Sequence, residues 1–146
     1  MVGWVIPPPK KPVKTPAEFR RERWAKVKEL EARGFLRSPR LKAAMLKVPR
    51  EEFIPPPYRD YAYLEVPLPL PGEATISCPH SYPLFYEALE LGPGHRFLEV
   101  GTGSGYGAAL ACEVVGPAGL VVTVEIDPET LPSPGKICSA WGMGKY

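Results

Sequence analysis

Three closely spaced glycines follow a short apolar stretch, and this arrangement constrains the fold more than any other feature of the chain. Residues 96–107 are Arg-Phe-Leu-Glu-Val-Gly-Thr-Gly-Ser-Gly-Tyr-Gly, which predicts a short buried strand followed by a sharp turn. Gly101, Gly103 and Gly105 permit positive φ angles and a close approach of the backbone to a ligand. A helix and a second apolar strand over 119–126 are expected next. This order predicts a parallel, right-handed crossover unit of an α/β fold, with the glycine turn at the carboxyl edge of its sheet.

The spacing of the glycines bears on which cofactor such a turn would bind. The dinucleotide pattern G-x-G-x-x-G, begun at Gly101, requires glycine where Tyr106 stands. A shifted register through Gly103, Gly105 and Ala108 stays open, although it begins two residues beyond the end of the strand. The pattern from position 99 instead resembles the first motif of class I S-adenosylmethionine-dependent methyltransferases. That resemblance implies a Rossmann-like domain that binds S-adenosyl-L-methionine. The cofactor-binding residues that it implies are Glu99, Gly101, Thr102, Gly103, Ser104 and Gly105.

A second acidic residue lies near the end of the strand expected over 119–126. That strand is too apolar to be half exposed, which is typical of a parallel strand covered on both faces. Glu125 follows the glycine turn by about 20 residues, the spacing at which a βαβ unit presents a carboxylate to ribose hydroxyls. Glu125 is therefore predicted to bind adenosine, and the alternative is a solvated charge at the strand end. Asp127, which precedes Pro128, is predicted to cap a helix.

Prolines and helical periodicity divide the rest of the chain. Residues 1–14 are expected to form a flexible proline-rich arm, and residues 15–95 a region of helices and loops that carries the substrate segment. Residues 96–130 are expected to form the first part of the cofactor domain, and residues 131–146 an atypical tail. Helices are predicted over 15–33, 38–48 and 81–91, with a long irregular loop over 49–79. The expected apolar faces are Phe19, Trp24, Val27 and Leu30; Leu41, Ala44, Met45 and Val48; and Leu84, Phe85, Ala88 and Leu89.

Composition limits the kinds of binding partner and the cellular compartment that the sequence predicts. The formal net charge of +2 and the mixing of Lys and Arg with Glu do not predict a nucleic-acid footprint. The three cysteines are far apart and form no C-x-x-C pair, so neither a disulfide framework nor a metal site is indicated. No segment approaches membrane-spanning length, and residues 2–6 are too short for the core of a signal peptide. These features predict a cytoplasmic protein without membrane or nucleic-acid partners.

Several segments together resemble protein-L-isoaspartate O-methyltransferase, a family of repair enzymes. The matching segments are Val-Pro-Arg-Glu-Glu-Phe-Ile-Pro at 48–55, Tyr-Arg-Asp-Tyr-Ala-Tyr at 58–63, Pro-Leu-Pro at 67–69, Thr-Ile-Ser-Cys-Pro-His at 75–80 and the glycine motif. The similarity covers roughly residues 17–130. The segment 75–80 distinguishes this family from other methyltransferases, because the glycine motif alone indicates only a methyltransferase of some kind.

The resemblance implies transfer of a methyl group from S-adenosyl-L-methionine to the free carboxylate of L-isoaspartyl residues in damaged proteins or peptides, by an enzyme that is monomeric if complete. It implies an active-site role for Ser77, which could otherwise be a turn residue. Thr75 is placed with the cofactor-binding residues, although its hydroxyl could also orient the carboxylate. Glu99 would hold the methionine end of the cofactor or cap the following loop. Roles in the site stay open for His80, Tyr58, Tyr61 and Tyr63.

After about Glu129 the sequence departs from the family pattern. Pro132, Pro134 and Gly135 disfavour the helix expected there, which predicts an incomplete sheet, a truncated or frameshifted chain and an inactive enzyme. Two other functions stay open. The chain could be a non-catalytic remnant that binds peptides, or a methyltransferase for another substrate class, such as RNA or a small molecule.

Overall fold

The computed structural model describes residues 5–131, which form four α-helices, two 3-10 helices and four short strands. The α-helices are α1 (Pro16–Ala32), α2 (Pro39–Lys47), α3 (Ser81–Ala88) and α4 (Tyr106–Val115). The 3-10 helices are Arg50–Phe53 and Pro56–Tyr61, and the strands are β1 (Leu68–Pro69), β2 (Thr75–Ile76), β3 (Arg96–Val100) and β4 (Leu120–Val124). The tail expected over 131–146 lies almost entirely outside the described residues.

The predicted β-turn-α-β unit is confirmed. Strands β3 and β4 pair in parallel, with Leu98 opposite Val122, and α4 connects them. Helix α4 begins directly after Gly105 and ends at Gly116, whose φ of 67° stops the helix before Pro117. Eight of its ten residues are buried, because one side of α4 packs on the two strands and another on α2. The fold is mixed α/β with a two-stranded parallel sheet.

The first two helices begin where the sequence predicts. Thr15 and Glu18 form the reciprocal capping box of α1, and Ser38 caps α2 through the amide of Leu41. The predicted apolar face of α2 is buried. The prediction for α1 is only partly correct, since Trp24 is 58% exposed. Trp24 instead lies beside the ammonium group of Lys28.

The predicted apolar face of α3 is wrong. Leu84, Phe85 and Leu89 are exposed, whereas Pro83 and Tyr86 are buried. Tyr86 lies against the sheet and donates a hydrogen bond from its hydroxyl to the carbonyl of Gly107 at 2.8 Å. The amphipathic side chain of tyrosine can bury its ring and still satisfy its hydroxyl, and apolar periodicity does not capture this.

The expectation that both strands are buried, with 119–126 covered on both faces, is also wrong. Phe97 and Glu99 of β3 are partly buried on the face that carries α4. The other face is exposed, and the described residues leave it uncovered. Its exposed apolar side chains are Leu98, Val100, Val122 and Val124, followed by Ile126 after the strand. Strand β4 itself ends at Val124, one residue before Glu125.

Residues 5–79 are more ordered than the sequence suggests. The loop expected over 49–79 contains both 3-10 helices and an antiparallel hairpin of β1 and β2, in which Leu68 pairs with Ile76. The proline-rich arm lies against the second 3-10 helix instead of being free. The Asp60 carboxylate accepts hydrogen bonds from the amides of Val13 and Lys14 at 3.0 and 3.2 Å. Satisfying these backbone groups fixes the path of the arm.

Among residues 5–131 no helix has both the length and the apolar character needed to cross a membrane. In that same part of the chain, acidic, cysteine and histidine side chains do not gather into a group that could hold a metal ion.

Candidate active site

The glycine turn is bonded to the end of the neighbouring strand. The amides of Gly101 and Thr102 both donate to the carbonyl of Val124, at 2.8 and 3.0 Å. The turn adopts positive φ at all three predicted glycines, with values of 90° at Gly101, 54° at Gly103 and 84° at Gly105. Residues that carry a side chain rarely adopt these φ angles. The sequence therefore correctly locates a turn that only glycine forms at low energetic cost. A Cβ at Gly101 would meet no atom within 4 Å, so the edge of the turn is open.

Glu125 lies directly beside this turn. Its carboxylate accepts a hydrogen bond from the amide of Gly103 at 2.9 Å, and others from Asp127 and Ile126 at 3.2 and 3.0 Å. The Gly103 amide, followed by that of Asp127, lowers the pKa of Glu125. The group is therefore ionised at neutral pH and can accept hydrogen bonds. The structure brings Glu125 and the glycine turn together.

Asp127 caps a turn instead of a helix. Its carboxylate accepts hydrogen bonds from the Glu129 amide at 2.9 Å and from the Thr130 hydroxyl at 2.8 Å. Asp127 thus orders the chain after Glu125, and its capping role is local.

Glu99 is partly buried beneath the same edge of the sheet. Its carboxylate accepts a hydrogen bond from the Thr123 hydroxyl at 2.8 Å, and that hydroxyl lies 2.8 Å from the hydroxyl of Thr102. Burial raises the pKa of Glu99, the Thr123 hydrogen bond lowers it, and the nearby charge of Glu125 raises it further, with a net upward shift. Thr123 was missed by sequence analysis, although it is the one polar residue of strand β4.

Glycine at 107 leaves room for the Glu99 carboxylate. A Cβ there would collide with that carboxylate and would lie 3.1 Å from the Tyr86 hydroxyl. Glu99 can therefore lie under the first turn of α4 in the position that the structure shows. In the described structure Glu99 bonds to a neighbouring strand instead of capping the loop that follows it.

Glu99→Gln is expected to stabilise the protein at neutral pH. The folded-state pKa of Glu99 is raised, so its ionised form disfavours folding above the ordinary pKa of 4.5, and this penalty is absent below that pH. The increase in melting temperature should therefore be larger at pH 7 than at pH 4, as measured by circular dichroism. Glu73→Gln, at an exposed position, is the control. Equal stabilisation by Glu99→Gln at both pH values would contradict the prediction.

The β1–β2 hairpin packs against the glycine turn. A Cβ at Gly103 would lie 3.6 Å from Leu70 of the hairpin loop, and the Thr130 hydroxyl, which shares its one proton with Asp127, lies 2.9 Å from the carbonyl of Pro71. The loop of the hairpin thus contacts the glycine turn, which precedes Glu125 in the chain, and the segment that follows Glu125. Thr75 lies in β2 and Ser77 directly after it, so both predicted residues belong to the hairpin whose loop contacts the glycine turn.

The side chains of Thr75 and Ser77 are exposed, whereas the backbone of Ser77 is fixed. Its carbonyl accepts a hydrogen bond of 2.7 Å from the buried guanidinium of Arg50. Ser104 has a local role, since its hydroxyl accepts a 3.3 Å hydrogen bond from the amide of Tyr106. Sequence analysis did not single out Arg50, although it lies within a segment that carries the family resemblance.

Three of the residues whose roles the sequence leaves open, His80, Tyr61 and Tyr63, make hydrogen bonds within the fold. His80 bonds through Nδ1 to Glu65 at 2.5 Å, and its ring lies against that of Phe35. The Tyr61 hydroxyl donates to the carbonyl of Pro8 at 3.0 Å. The Tyr63 hydroxyl is buried and donates to Glu51 at 2.5 Å. These contacts hold His80, Tyr61 and Tyr63 within the fold, and a role of the tyrosines in a substrate cleft stays a prediction.

Comparison with known proteins identifies the family of the chain. The family model of protein-L-isoaspartate(D-aspartate) O-methyltransferase matches residues 21–134. The chain belongs to this family. It is 51% identical over 111 residues to the protein-L-isoaspartate O-methyltransferase of Methanopyrus kandleri, an alignment that covers 76% of this chain and 49% of the relative. It is 53% identical over 100 residues to that of Pyrobaculum arsenaticum, covering 68% of this chain and 49% of the relative.

Solved structures of the family share the fold. One, a protein-L-isoaspartate O-methyltransferase, superposes with a TM-score of 0.72 at 32% identity, covering 84% of this chain and 39% of the other. A second, from Plasmodium falciparum, is described as a beta-aspartate methyltransferase in complex with S-adenosyl-L-homocysteine. It gives a TM-score of 0.64 at 26% identity, covering 73% of this chain and 50% of the other. The chain spans about half the length of the curated relatives it matches.

Proposed function

We propose that this chain takes part in methyl transfer from S-adenosyl-L-methionine to the free carboxylate of L-isoaspartyl residues in damaged proteins. The observation that carries the proposal is the contact between the hairpin and the glycine turn. The loop of this hairpin lies beside Gly103 through Leu70 and contacts the chain after Glu125 through Pro71, and Ser77 follows the second strand of the same hairpin. Family membership supports the reaction class, and the order of residues in 75–80 supports the isoaspartyl substrate.

The residues at this edge fit the cofactor. The turn is open at Gly101, so the backbone can approach a ligand closely. Glu125 has the chemistry to accept hydrogen bonds from both hydroxyls of a ribose, and Glu99 would hold the methionine end. The other residues proposed to bind the cofactor are Thr75, Thr102, Gly103, Ser104 and Gly105. When bound, S-adenosyl-L-methionine supplies an electrophilic methyl group.

The residues of this chain need not include a strong base for such a reaction. A carboxyl group with an ordinary pKa of about 4 is already ionised at neutral pH. Catalysis then depends on the alignment of the reacting atoms and on exclusion of water. The hydroxyls of Ser77 and Thr75 can orient the acceptor carboxylate by donating hydrogen bonds without protonating it. The proposed partners are damaged proteins, and the proposed compartment is the cytoplasm, which is compatible with the free thiols of Cys78 and Cys112. The proposed state of a complete enzyme is a monomer.

The exposed face of the sheet favours a second candidate function. Leu98, Val100 and Ile126 are exposed, so the described residues leave an apolar surface on which a peptide can bind. In this second function the chain binds isoaspartyl peptides without turnover.

The departure of the sequence after Glu129 predicts an inactive chain, whereas the proposed function requires turnover. Assays of binding and turnover with residues 1–146 separate these possibilities. Calorimetry with S-adenosyl-L-homocysteine should detect binding, and Glu125→Ala should weaken it by about 1–3 kcal/mol because a charge-assisted acceptor is lost. Asp127→Ala, which removes the neighbouring carboxylate, is the matched control. Ser77→Ala should lower the rate of methyl transfer to an isoaspartyl peptide more than it weakens cofactor binding.

The outcomes decide between the functions. An aspartyl peptide of the same sequence should not be methylated. Peptide binding without transfer would support the second candidate, and transfer to RNA instead of peptide would replace the substrate proposed here. Absence of cofactor binding would contradict the proposed function.

A further inference from the structure

Arg50 is one of the most deeply buried side chains of the protein, although it carries a charge. It is 1% exposed. Its Nε donates to the carbonyl of Ala62 at 2.6 Å, and its Nη2 donates to the carbonyl of Ser77 at 2.7 Å. The centre of the guanidinium lies 5.3 Å from the ring centroid of Tyr106 and 5.8 Å from that of Tyr82. One side chain thus contacts four separate parts of the fold.

This burial is costly. Among residues 5–131 no carboxylate lies within ion-pair distance of Arg50, and its buried Nη1 has no hydrogen-bond partner there. The adjacent Glu51 is used elsewhere, since it pairs with Arg23 and accepts from Tyr63. A buried charge without a counter-ion disfavours folding unless all its donors are paired, and one nitrogen of Arg50 is not. Such exceptions are expected where a residue serves function.

The contacts of Arg50 connect the two halves of the proposed site. Ser77 belongs to the segment proposed to orient the acceptor carboxylate, and Tyr106 is the first residue of α4, directly after the glycine turn. We propose that Arg50 is a positioning residue that holds the Ser77 backbone in a fixed place relative to the glycine turn. This inference rests on the proposed function for its catalytic consequence, but not for the order that Arg50 imposes on the segment.

The shape of the guanidinium explains why arginine stands here. Its rigid planar fork directs two donors at two carbonyls while its face lies against aromatic rings. Lysine carries its charge at a single nitrogen and cannot reproduce this geometry. Methionine fills a similar volume without donors, so Arg50→Met should leave the core packed while releasing the Ser77 carbonyl.

The thiol of Cys78, next to Ser77, reports on the order of the segment without requiring activity. It is buried and free, and burial raises its pKa, so labelling by a thiol reagent should be slow in the parent protein. The experiment uses residues 1–146 with Cys112→Ser and Cys138→Ser, so that Cys78 is the thiol measured. Arg40→Met is the matched control, because Arg40 also donates to a backbone carbonyl, that of Val114, at 3.2 Å.

Arg50→Met removes a buried charge but leaves the carbonyls of Ala62 and Ser77 without a donor, so it should still unfold cooperatively, near the melting temperature of the parent. The Cys78 labelling rate should nevertheless rise at least about tenfold, as expected when a local segment opens. Arg50→Lys should show the same direction of change, and Arg40→Met should leave labelling unchanged. In the isoaspartyl peptide assay, kcat should fall about tenfold with little change in affinity for S-adenosyl-L-homocysteine.

Unchanged labelling in Arg50→Met would overturn the positioning role. If Arg50→Met and Arg50→Lys both fail to fold, Arg50 is a structural residue and the proposal is also overturned. If the parent protein transfers no methyl group but labelling responds as expected, the proposed function fails while the positional role of Arg50 stands.

Discussion

Gly101→Val is expected to reduce the affinity of the chain for S-adenosyl-L-homocysteine more than about a hundredfold, which corresponds to ~2.7 kcal/mol. Gly101 has a φ of 90°, an angle at which a β-branched residue is strained by about 1–3 kcal/mol. The new side chain would also fill the open space at the edge of the turn. Strain and obstruction act together at the atoms proposed to contact the cofactor, and calorimetry measures the result.

The variant Gly34→Val separates the effect of obstructing the cofactor site from the effect of backbone strain. Gly34 follows α1 with a φ of 78°, and a Cβ there also meets no atom within 4 Å. The two variants should lose similar stability in thermal unfolding, whereas only Gly101→Val should lose binding. If Gly101→Val is unfolded, Gly101→Ala provides the same comparison with Gly34→Ala. Equal affinity in the Gly101 and Gly34 variants would remove the turn from the cofactor site.

The turn could be predicted from sequence because its causes are local. Positive φ at Gly101, Gly103 and Gly105 follows from the conformations that only glycine adopts freely. The parallel pairing of β3 with β4 follows from the order of strand, turn and helix. The caps at Thr15 and Ser38 likewise depend on residues within one helical turn.

The remainder of the site depends on contacts between distant residues. Arg50 and Ser77 are separated by 27 positions, and their hydrogen bond involves a backbone carbonyl that any residue provides. The partial burial of Glu99 depends on the close approach of α4 at Gly107. No periodicity or spacing in the sequence encodes these contacts, so they become visible only in the folded chain.

The two carboxylates of the site illustrate the same limit. Sequence analysis places Glu99 and Glu125 at neighbouring strand ends but cannot assign their environments. In the structure the pKa of Glu125 is lowered by backbone amides, led by that of Gly103, while the pKa of Glu99 is raised mainly by burial. Differences in environment of this kind separate the roles of paired carboxylates. Glu125 is thereby suited to accept hydrogen bonds from a ligand. Glu99 is suited to its partly buried position beneath Glu125.

Helix α3 provides the sharpest test of burial against apolar periodicity. Tyr86→Ala is expected to destabilise the protein by about 3–5 kcal/mol, the range for loss of a large buried aromatic side chain. Tyr86 is 6% exposed, its ring lies 5.4 Å from that of Phe97 in an edge-to-face arrangement, and its hydroxyl donates to the carbonyl of Gly107. Removing it leaves a cavity beside β3 and takes away a second hydrogen bond to the Gly107 carbonyl, which already accepts the amide of the next turn of α4.

Phe85→Ala is the matched control, because it removes an adjacent aromatic ring of the same helix. Phe85 is 63% exposed, so its loss should change the free energy of unfolding by no more than about 0.5 kcal/mol. Urea denaturation followed by circular dichroism measures both variants, and Tyr86→Phe isolates the contribution of the hydroxyl. The apolar pattern of the sequence instead expects Phe85 to be buried. A larger loss of stability in Phe85→Ala than in Tyr86→Ala would therefore show that α3 packs through Leu84, Phe85 and Leu89, contrary to the structure.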